Sequence, residues 1–86
     1  NEAHLYYKEA FELLSKKLEK SKKEQELLIQ LLIDWTLVFY YRGDFNKLTN
    51  LLSGFIELAK FIGNGELLGK FYVWLGFSYY LRGKIS

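Results

Sequence analysis

The chain of 86 residues contains no cysteine, no proline, no methionine and a single histidine. Without cysteine there is no disulfide framework, thiolate metal site or cysteine nucleophile. One histidine is too few for an ordinary metal centre, which takes about three or four side-chain ligands. Because no methionine occurs, we expect a segment of a longer protein. No basic segment followed by an apolar run and a small-residue cleavage site is visible, so we expect a cytoplasmic location.

The charge and the apolar runs argue against two classes of partner. Twelve basic and ten acidic residues are interspersed and give a net charge of +2, whereas nucleic-acid binding leaves a clustered basic footprint. The two most apolar stretches, 27–41 and 67–81, are each interrupted by polar residues. Both are shorter than the roughly 20 residues that span a bilayer. We therefore expect neither nucleic acid nor a membrane as a partner.

Aromatic residues are unusually frequent: seven phenylalanines, seven tyrosines and two tryptophans make up 19% of the chain. A domain of this length buries only about 60–65% of the surface that its unfolded chain exposes. The large rings therefore exceed what one closed core can cover. We expect some of them to contact a neighbour, which is further chain, a second copy or a ligand.

Apolar residues recur at a spacing of three and four, which predicts an all-α fold. Ser21 and Glu24 form a capping-box pattern that begins a helix. Gly43 suits the left-handed residue that ends one, and Asp44 is a candidate N-cap for the next. The sequence therefore predicts one domain over residues 1–86 with four helices, at about 2–20, 22–41, 45–62 and 66–82.

An internal repeat organises these helices. Glu26-Leu27-Leu28 recurs 40 residues later as Glu66-Leu67-Leu68, and Tyr40-Tyr41-Arg42-Gly43 recurs as Tyr80-Leu81-Arg82-Gly83. Between positions 26 and 43, six of eighteen residues are identical at this offset. A second echo links Phe11-Glu12-Leu13 to Ile56-Glu57-Leu58 at an offset of 45. One helix pair per roughly 40 residues is typical of antiparallel αα-hairpin repeats in an α-solenoid.

The repeat resembles the tetratricopeptide (TPR) family. Tyr72-x-x-Leu75-Gly76-x-x-Tyr79-x-x-x-Gly83 has the spacing of the first helix of such a repeat, and Leu32-x-x-Trp35-Thr36-x-x-Phe39-x-x-x-Gly43 is similar. The 40-residue period and the missing proline look like the long TPR-like repeats of bacterial maltose-regulator-type and cyclase-associated regulators. Leu48 and Phe55 depart from the family, which usually has alanine there. The resemblance implies a superhelix with Gly76 at a close helix contact and Gly83 at a turn.

The resemblance also implies a concave groove lined by the first helices of the repeats. The candidate partner-binding residues on this side are Gln30, Tyr40, Tyr41, Lys70, Phe77 and Tyr80. Tyrosine suits recognition because it offers a large rigid area with a polar tip. The alternative is that these rings only pack between helices.

Two hypotheses of function follow. The first is a protein–protein interaction or scaffold module of a signalling or regulatory protein, with a protein or peptide partner. The second is a homo-oligomer through the uncapped last helix, with Phe71, Trp74 and Phe77 as self-association residues. No catalytic, cofactor or metal site is expected, and we predict no enzyme activity. His4 has no histidine or cysteine near it, so we expect a frayed surface residue.

Overall fold

In the computed structural model, which describes residues 2–85, the chain is built of helices throughout the described part. The five helices are α1 (Glu2–Ser15), α2 (Lys22–Arg42), α3 (Phe45–Gly54), α4 (Ile56–Ile62) and α5 (Gly65–Ile85). The all-α prediction is confirmed, but the predicted number of four helices is wrong. No helix within residues 2–85 is both long enough and apolar enough to cross a membrane.

The link from α1 to α2 is fixed by polar groups. Lys20 Nζ donates to the carbonyl oxygen of Ser15, the last residue of α1, and to that of Lys17 just beyond it. These bonds satisfy carbonyl groups that have no partner within the helix. The capping box at α2 is present: Ser21 Oγ accepts from the Glu24 amide, and the Glu24 carboxylate accepts from the Ser21 amide. A hydrogen bond from Lys17, followed by the one from the Ser21 amide, lowers the pKa of Glu24 to about 2. The predicted extension of α1 to residue 20 is wrong.

The predicted third helix is divided in two. Phe55 lies between α3 and α4 with φ −112° and ψ 7°, and its amide donates to the carbonyl of Leu52 instead of continuing the α-helical ladder. The hydroxyl of Ser53 accompanies this change by donating to the carbonyl of Thr49 at 2.7 Å. A serine followed by Gly54 is a common place for a helix to break. Both halves still bury apolar side chains, including Leu52 in α3 and Ala59 in α4.

Two glycines with similar neighbours behave differently. Gly43 ends α2 in the left-handed region with φ 71°, and its amide donates to the carbonyl of Tyr40. Gly83 lies inside α5, so the predicted end of that helix at residue 82 and the turn at Gly83 are wrong. Asp44 precedes α3 as predicted, but its side chain makes no capping hydrogen bond.

The core lies around α2, which contacts every other helix. α1 folds back antiparallel on α2, since Phe11 and His4 near its two ends contact Trp35 and Phe39 respectively. α3 is tied to α5 by a buried hydrogen bond of 3.2 Å from Thr49 Oγ1 to Ser78 Oγ. The buried apolar residues come from α2 to α5: Leu28, Ile29, Leu32, Ile33, Trp35, Phe39, Leu48, Leu52, Ala59, Ile62, Leu67 and Phe71.

Candidate functional site

Four aromatic rings form an exposed ridge where the C-terminal halves of α2 and α5 lie side by side. The rings of Tyr40 and Phe77 stack with 6.1 Å between centroids, and Phe77 stacks on Tyr80 at 6.5 Å. Tyr41 meets Tyr40 edge-on at 5.4 Å. We call these four residues the aromatic ridge. All four side chains are solvent-exposed although each ring contacts another, so the ridge combines accessibility with a fixed arrangement.

The ridge exists because α2 and α5 run parallel. At their N-terminal ends, Asn64 Nδ2 donates to the Glu26 carboxylate at 2.9 Å, while Asn64 Oδ1 caps α5 by accepting from the Leu67 amide. At their C-terminal ends, the stack of Tyr40 on Phe77 joins the same two helices. Two contacts, one at each end, therefore fix the register of the pair.

Two further rings support the ridge from below. Phe45, the first residue of α3, lies 6.2 Å from the Tyr40 ring, and Trp74 meets the ring of Phe77 edge-on at 5.9 Å. Both supporting side chains are partly buried. Because fixed aromatic neighbours restrict side-chain rotation, Tyr40 and Phe77 lose little further entropy when a partner binds.

The surroundings of the ridge are basic. Arg42 follows Tyr41 at the end of α2, and Arg82 follows the ridge residues of α5; both side chains are exposed. The guanidinium of Arg82 lies 5.8 Å from the centroid of the Tyr79 ring, a cation–π contact. A partner on the ridge therefore meets apolar ring faces, phenolic hydroxyls and positive charge.

Two predicted groove residues lie apart from the rings. Gln30 precedes Tyr40 by ten residues on α2, which is about 15 Å along a helix. Gln30 Nε2 donates to Asp34 Oδ1 at 3.0 Å, and Lys70 pairs with Glu66 at 3.7 Å. Gln30 also lines a shallow depression of about 260 Å³ beside Asn64. The structure thus brings together four of the six predicted residues and leaves Gln30 and Lys70 on the polar part of these helices.

The three residues predicted for self-association do not lie on one surface. Phe71 is fully buried in the chain's own core, so its proposed contact with a second copy is wrong. Trp74 is partly buried beneath the ridge, and Phe77 belongs to the ridge itself. The reason is that Phe71 and Ser78 lie on the face of α5 that turns towards α3, where the Thr49 hydroxyl bonds to Ser78.

His4 is packed, contrary to the prediction of a frayed surface residue. Its Nδ1 accepts a hydrogen bond of 3.2 Å from the indole Nε1–H of Trp35, and its ring lies 5.5 Å from the rings of both Trp35 and Phe39. These residues line a groove of about 290 Å³ between α1 and α3, together with Lys8, Phe11, Glu12, Lys47 and Leu51. The spacing of His4, Tyr7 and Phe11 at three and four residues was the signal that places His4 on the packed face.

The environment of His4 disfavours its charged form. Partial burial lowers the pKa of His4 below 6.5, and the positive charges of Arg42, Lys8 and Lys47 lower it further. Protonation of Nδ1 also removes the acceptor that Trp35 uses. The unfolded chain therefore binds this proton at a higher pH than the folded chain does. It follows that the contribution of His4 to stability is complete above about pH 6.5 and declines below it.

Within residues 2–85 no group of three or more histidine, aspartate or glutamate side chains is arranged to hold a metal ion. Over the same range, every buried side-chain nitrogen and oxygen has a hydrogen-bond partner. Comparison of the chain with known protein families, with curated proteins and with solved structures gave no match. The function of the chain is therefore inferred from the geometry of its described residues.

Proposed function

We propose that this chain is a protein–protein interaction module built of TPR-like helical repeats, and that it binds a peptide or helix on the aromatic ridge. The observation that carries the proposal is the row of four exposed rings, stacked across two parallel helices. Exposed rings held in a fixed arrangement are typical of binding hot spots, because they offer large contact areas at a low cost in entropy.

The arrangement of the helices supports the repeat part of the proposal. α2 and α5 share the 40-residue sequence offset and run parallel, and α3 and α4 connect them on one side. Adjacent first helices of stacked hairpin repeats are arranged in this manner. As a scaffold of this type, the chain belongs in a larger signalling or regulatory protein, where its role is to capture a partner for a neighbouring effector.

The chemistry of the ridge defines the partner. Ring faces of Tyr40 and Phe77 accept apolar or aromatic side chains, and the phenolic tips of Tyr41 and Tyr80 exchange hydrogen bonds. Arg42 and Arg82 lie exposed beside the rings, so acidic residues next to the apolar anchors add attraction. The partner is therefore a segment with two or more apolar side chains flanked by aspartate or glutamate.

The proposal is tested by selecting ligands from a displayed library of random peptides on the immobilised chain. Selected peptides are expected to contain apolar anchors next to acidic residues. Their affinity for Tyr41→Ala and Tyr80→Ala variants is then measured by fluorescence anisotropy. Loss of a hot-spot ring costs about 2 kcal/mol, or roughly a 30-fold weaker affinity.

Phe61→Ala is the matched control, because Phe61 is an exposed ring on α4 outside the ridge. It should leave peptide affinity unchanged. If the selected peptides bind the Tyr41 and Tyr80 variants as tightly as the original chain, the ridge is not the binding surface. Helical circular dichroism of every variant should remain that of the original chain, since the replaced side chains are exposed.

A further inference from the structure

The side of α5 opposite the core is not covered by another helix of the described part of the chain. Gly69, Tyr72, Val73 and Gly76 lie along it, and all four residues are exposed. A Cβ added at Gly69 or Gly76 meets no atom within 4 Å. We call these four residues the α5 outer face. The ridge residue Tyr80 lies one turn after Gly76 and borders this face, whereas Phe77 meets Tyr40 of α2.

The repeat identifies what kind of element this face accommodates. The residues 40 positions earlier are Ile29, Leu32, Ile33 and Thr36, and every one of them is buried in the core of the chain. α2 is contacted by α1, α3, α4 and α5, so these positions on it are covered. The same positions on α5 have no such cover among the described residues. The α5 outer face therefore corresponds to a surface that, on α2, is closed by helices.

α1 carries the complementary surface. By the 45-residue offset, Tyr6 and Leu13 correspond to Leu51 in α3 and Leu58 in α4. Leu51 and Leu58 pack against the core, whereas Tyr6 and Leu13 are strongly exposed. With the neighbouring exposed Leu5, these residues form what we call the α1 outer face. Since α3 and α4 follow α2 and pack on it, their sequence counterpart α1 is suited to pack on a helix equivalent to α2.

Size and charge also match between the two faces. Gly76 of α5 stands where α2 has the larger Thr36, and Tyr6 of α1 stands where α3 has the smaller Leu51, so the residue is smaller on one face and larger on the other. The α1 span 2–15 contains three glutamates and one lysine, a net charge of −2. The α5 span 65–85 contains three basic residues and one glutamate, a net charge of +2. Opposite charges favour this pairing over α5 on α5 or α1 on α1.

We propose that the α5 outer face binds the α1 outer face of a second copy of this chain, head to tail. The contact is heterologous, so each bound copy presents a free α5 outer face to the next one. Assembly is then open-ended or closes into a ring, and it is not limited to a symmetric dimer. The proposal does not rest on peptide binding, since Tyr40 and Tyr41 of the aromatic ridge lie on α2 and not on the α5 outer face.

Sedimentation velocity of the 86-residue chain, from micromolar to millimolar concentration, tests the proposal. The average mass is expected to rise from that of the 10.2 kDa monomer past that of a dimer. Gly76→Glu places a bulky, negative side chain on the α5 outer face and should keep the chain monomeric. The monomer tolerates this change because the position is open and glutamate favours a helix more than glycine does. Leu13→Glu should also give a monomer, from the opposite side.

Mixing the two variants separates the modes of association. The Gly76→Glu chain keeps its α1 outer face and the Leu13→Glu chain keeps its α5 outer face, so an equimolar mixture should form a one-to-one dimer and nothing larger. Gly54→Glu, at an exposed helical glycine in α3 with open surroundings, is the matched control and should assemble like the original chain. Circular dichroism should show helical folding of all variants.

Three results would overturn the proposal. A monomeric original chain at millimolar concentration shows that the two faces do not bind each other. Self-association of Leu13→Glu alone shows that α5 pairs symmetrically or with another surface. Assembly of Gly76→Glu shows that the contact lies elsewhere, for instance on the aromatic ridge. Peptide affinity is measured at a concentration where the chain is monomeric, so none of these results by itself decides the peptide-binding proposal.

Discussion

The difference between the buried α2 face and the bare α5 outer face predicts unequal costs for equivalent substitutions. Ile33 and Val73 are separated by the 40-residue offset, and their exposed fractions are 6% and 68%. Ile33→Ala removes three carbons, worth about 2.4 kcal/mol of apolar transfer, and the cavity raises the total to about 3 kcal/mol. A gain of several tenths of a kcal/mol in helix propensity offsets a small part of this cost.

Val73→Ala in the monomer is expected to be almost neutral. It removes two carbons from a side chain that is mostly in solvent. Only about a third of their apolar transfer energy is therefore lost, which is about 0.5 kcal/mol. Alanine recovers roughly the same amount through its higher helix propensity. The predicted difference between the two variants is thus about 2.5 kcal/mol, which corresponds to roughly 10–20 °C in Tm for a domain of this size.

Urea unfolding in dilute solution, followed by circular dichroism at 222 nm, measures both free energies. The concentration is kept where sedimentation finds monomers, so that contacts between copies do not contribute. An equal loss for Val73→Ala and Ile33→Ala would mean that α5 is packed on both sides within one chain. That result would refute the assignment of the α5 outer face.

Three further predictions concern local structure. Gly43→Ala should lower the free energy of unfolding by about 1–2 kcal/mol because the φ of Gly43 is 71°. Gly83→Ala should be neutral or stabilising by up to about 1 kcal/mol because Gly83 is helical. Urea unfolding measures both variants, and equal losses would contradict the difference in backbone conformation. Ser21→Ala should lower the free energy of unfolding by about 1 kcal/mol through loss of the capping box. Ser21→Asp, which keeps a side-chain oxygen that accepts at the N-cap, is the control and should leave most of this stability in place. Unfolding free energy should fall as the pH drops below about 6.5, where the unfolded chain binds the His4 proton that the folded chain resists. His4→Asn keeps an acceptor but does not titrate, so its stability should lack this step; a step that persists would rule out His4 as its source.

Local signals in the sequence predict where helices begin more reliably than where they end. The capping box at Ser21 and the left-handed Gly43 depend on neighbouring residues alone, and both are present. The end of α1 was predicted too late because Leu18 continues the apolar spacing. Its side chain is 99% exposed, so it has no core contact to hold another turn. Periodicity records the residues that a helix is able to bury, while packing decides which ones it does bury.

Tertiary contacts explain the other differences. The break at Phe55 was not predicted, because the apolar residues on its two sides keep a helical spacing; in the fold, the Phe55 ring packs against Phe11 of α1 at 5.5 Å. Gly43 and Gly83 both follow an arginine, yet only Gly43 ends a helix within the described residues. The glycine permits a left-handed turn but does not impose one. After Gly43 the turn is stabilised because α3 places Leu48 in the core.

The aromatic residues beyond the needs of the core divide into two surfaces with different chemistry. In the aromatic ridge, the rings contact one another while the side chains of Tyr40 and Tyr41 stay exposed, an arrangement that suits a peptide with its own polar groups. On the α5 outer face, Gly69 and Gly76 leave the backbone open before and after Tyr72 and Val73, which suits close approach by a helix. Tyr80 follows Gly76 by one turn of α5 and so borders both surfaces, whereas Tyr41 lies on α2 and belongs to the ridge alone. A chain with both Tyr41→Ala and Gly76→Glu should therefore show the peptide affinity of the first variant and the mass of the second, because substitutions that share no partner are additive. Recovery of peptide binding or of assembly in the double variant would show that the surfaces form a single site.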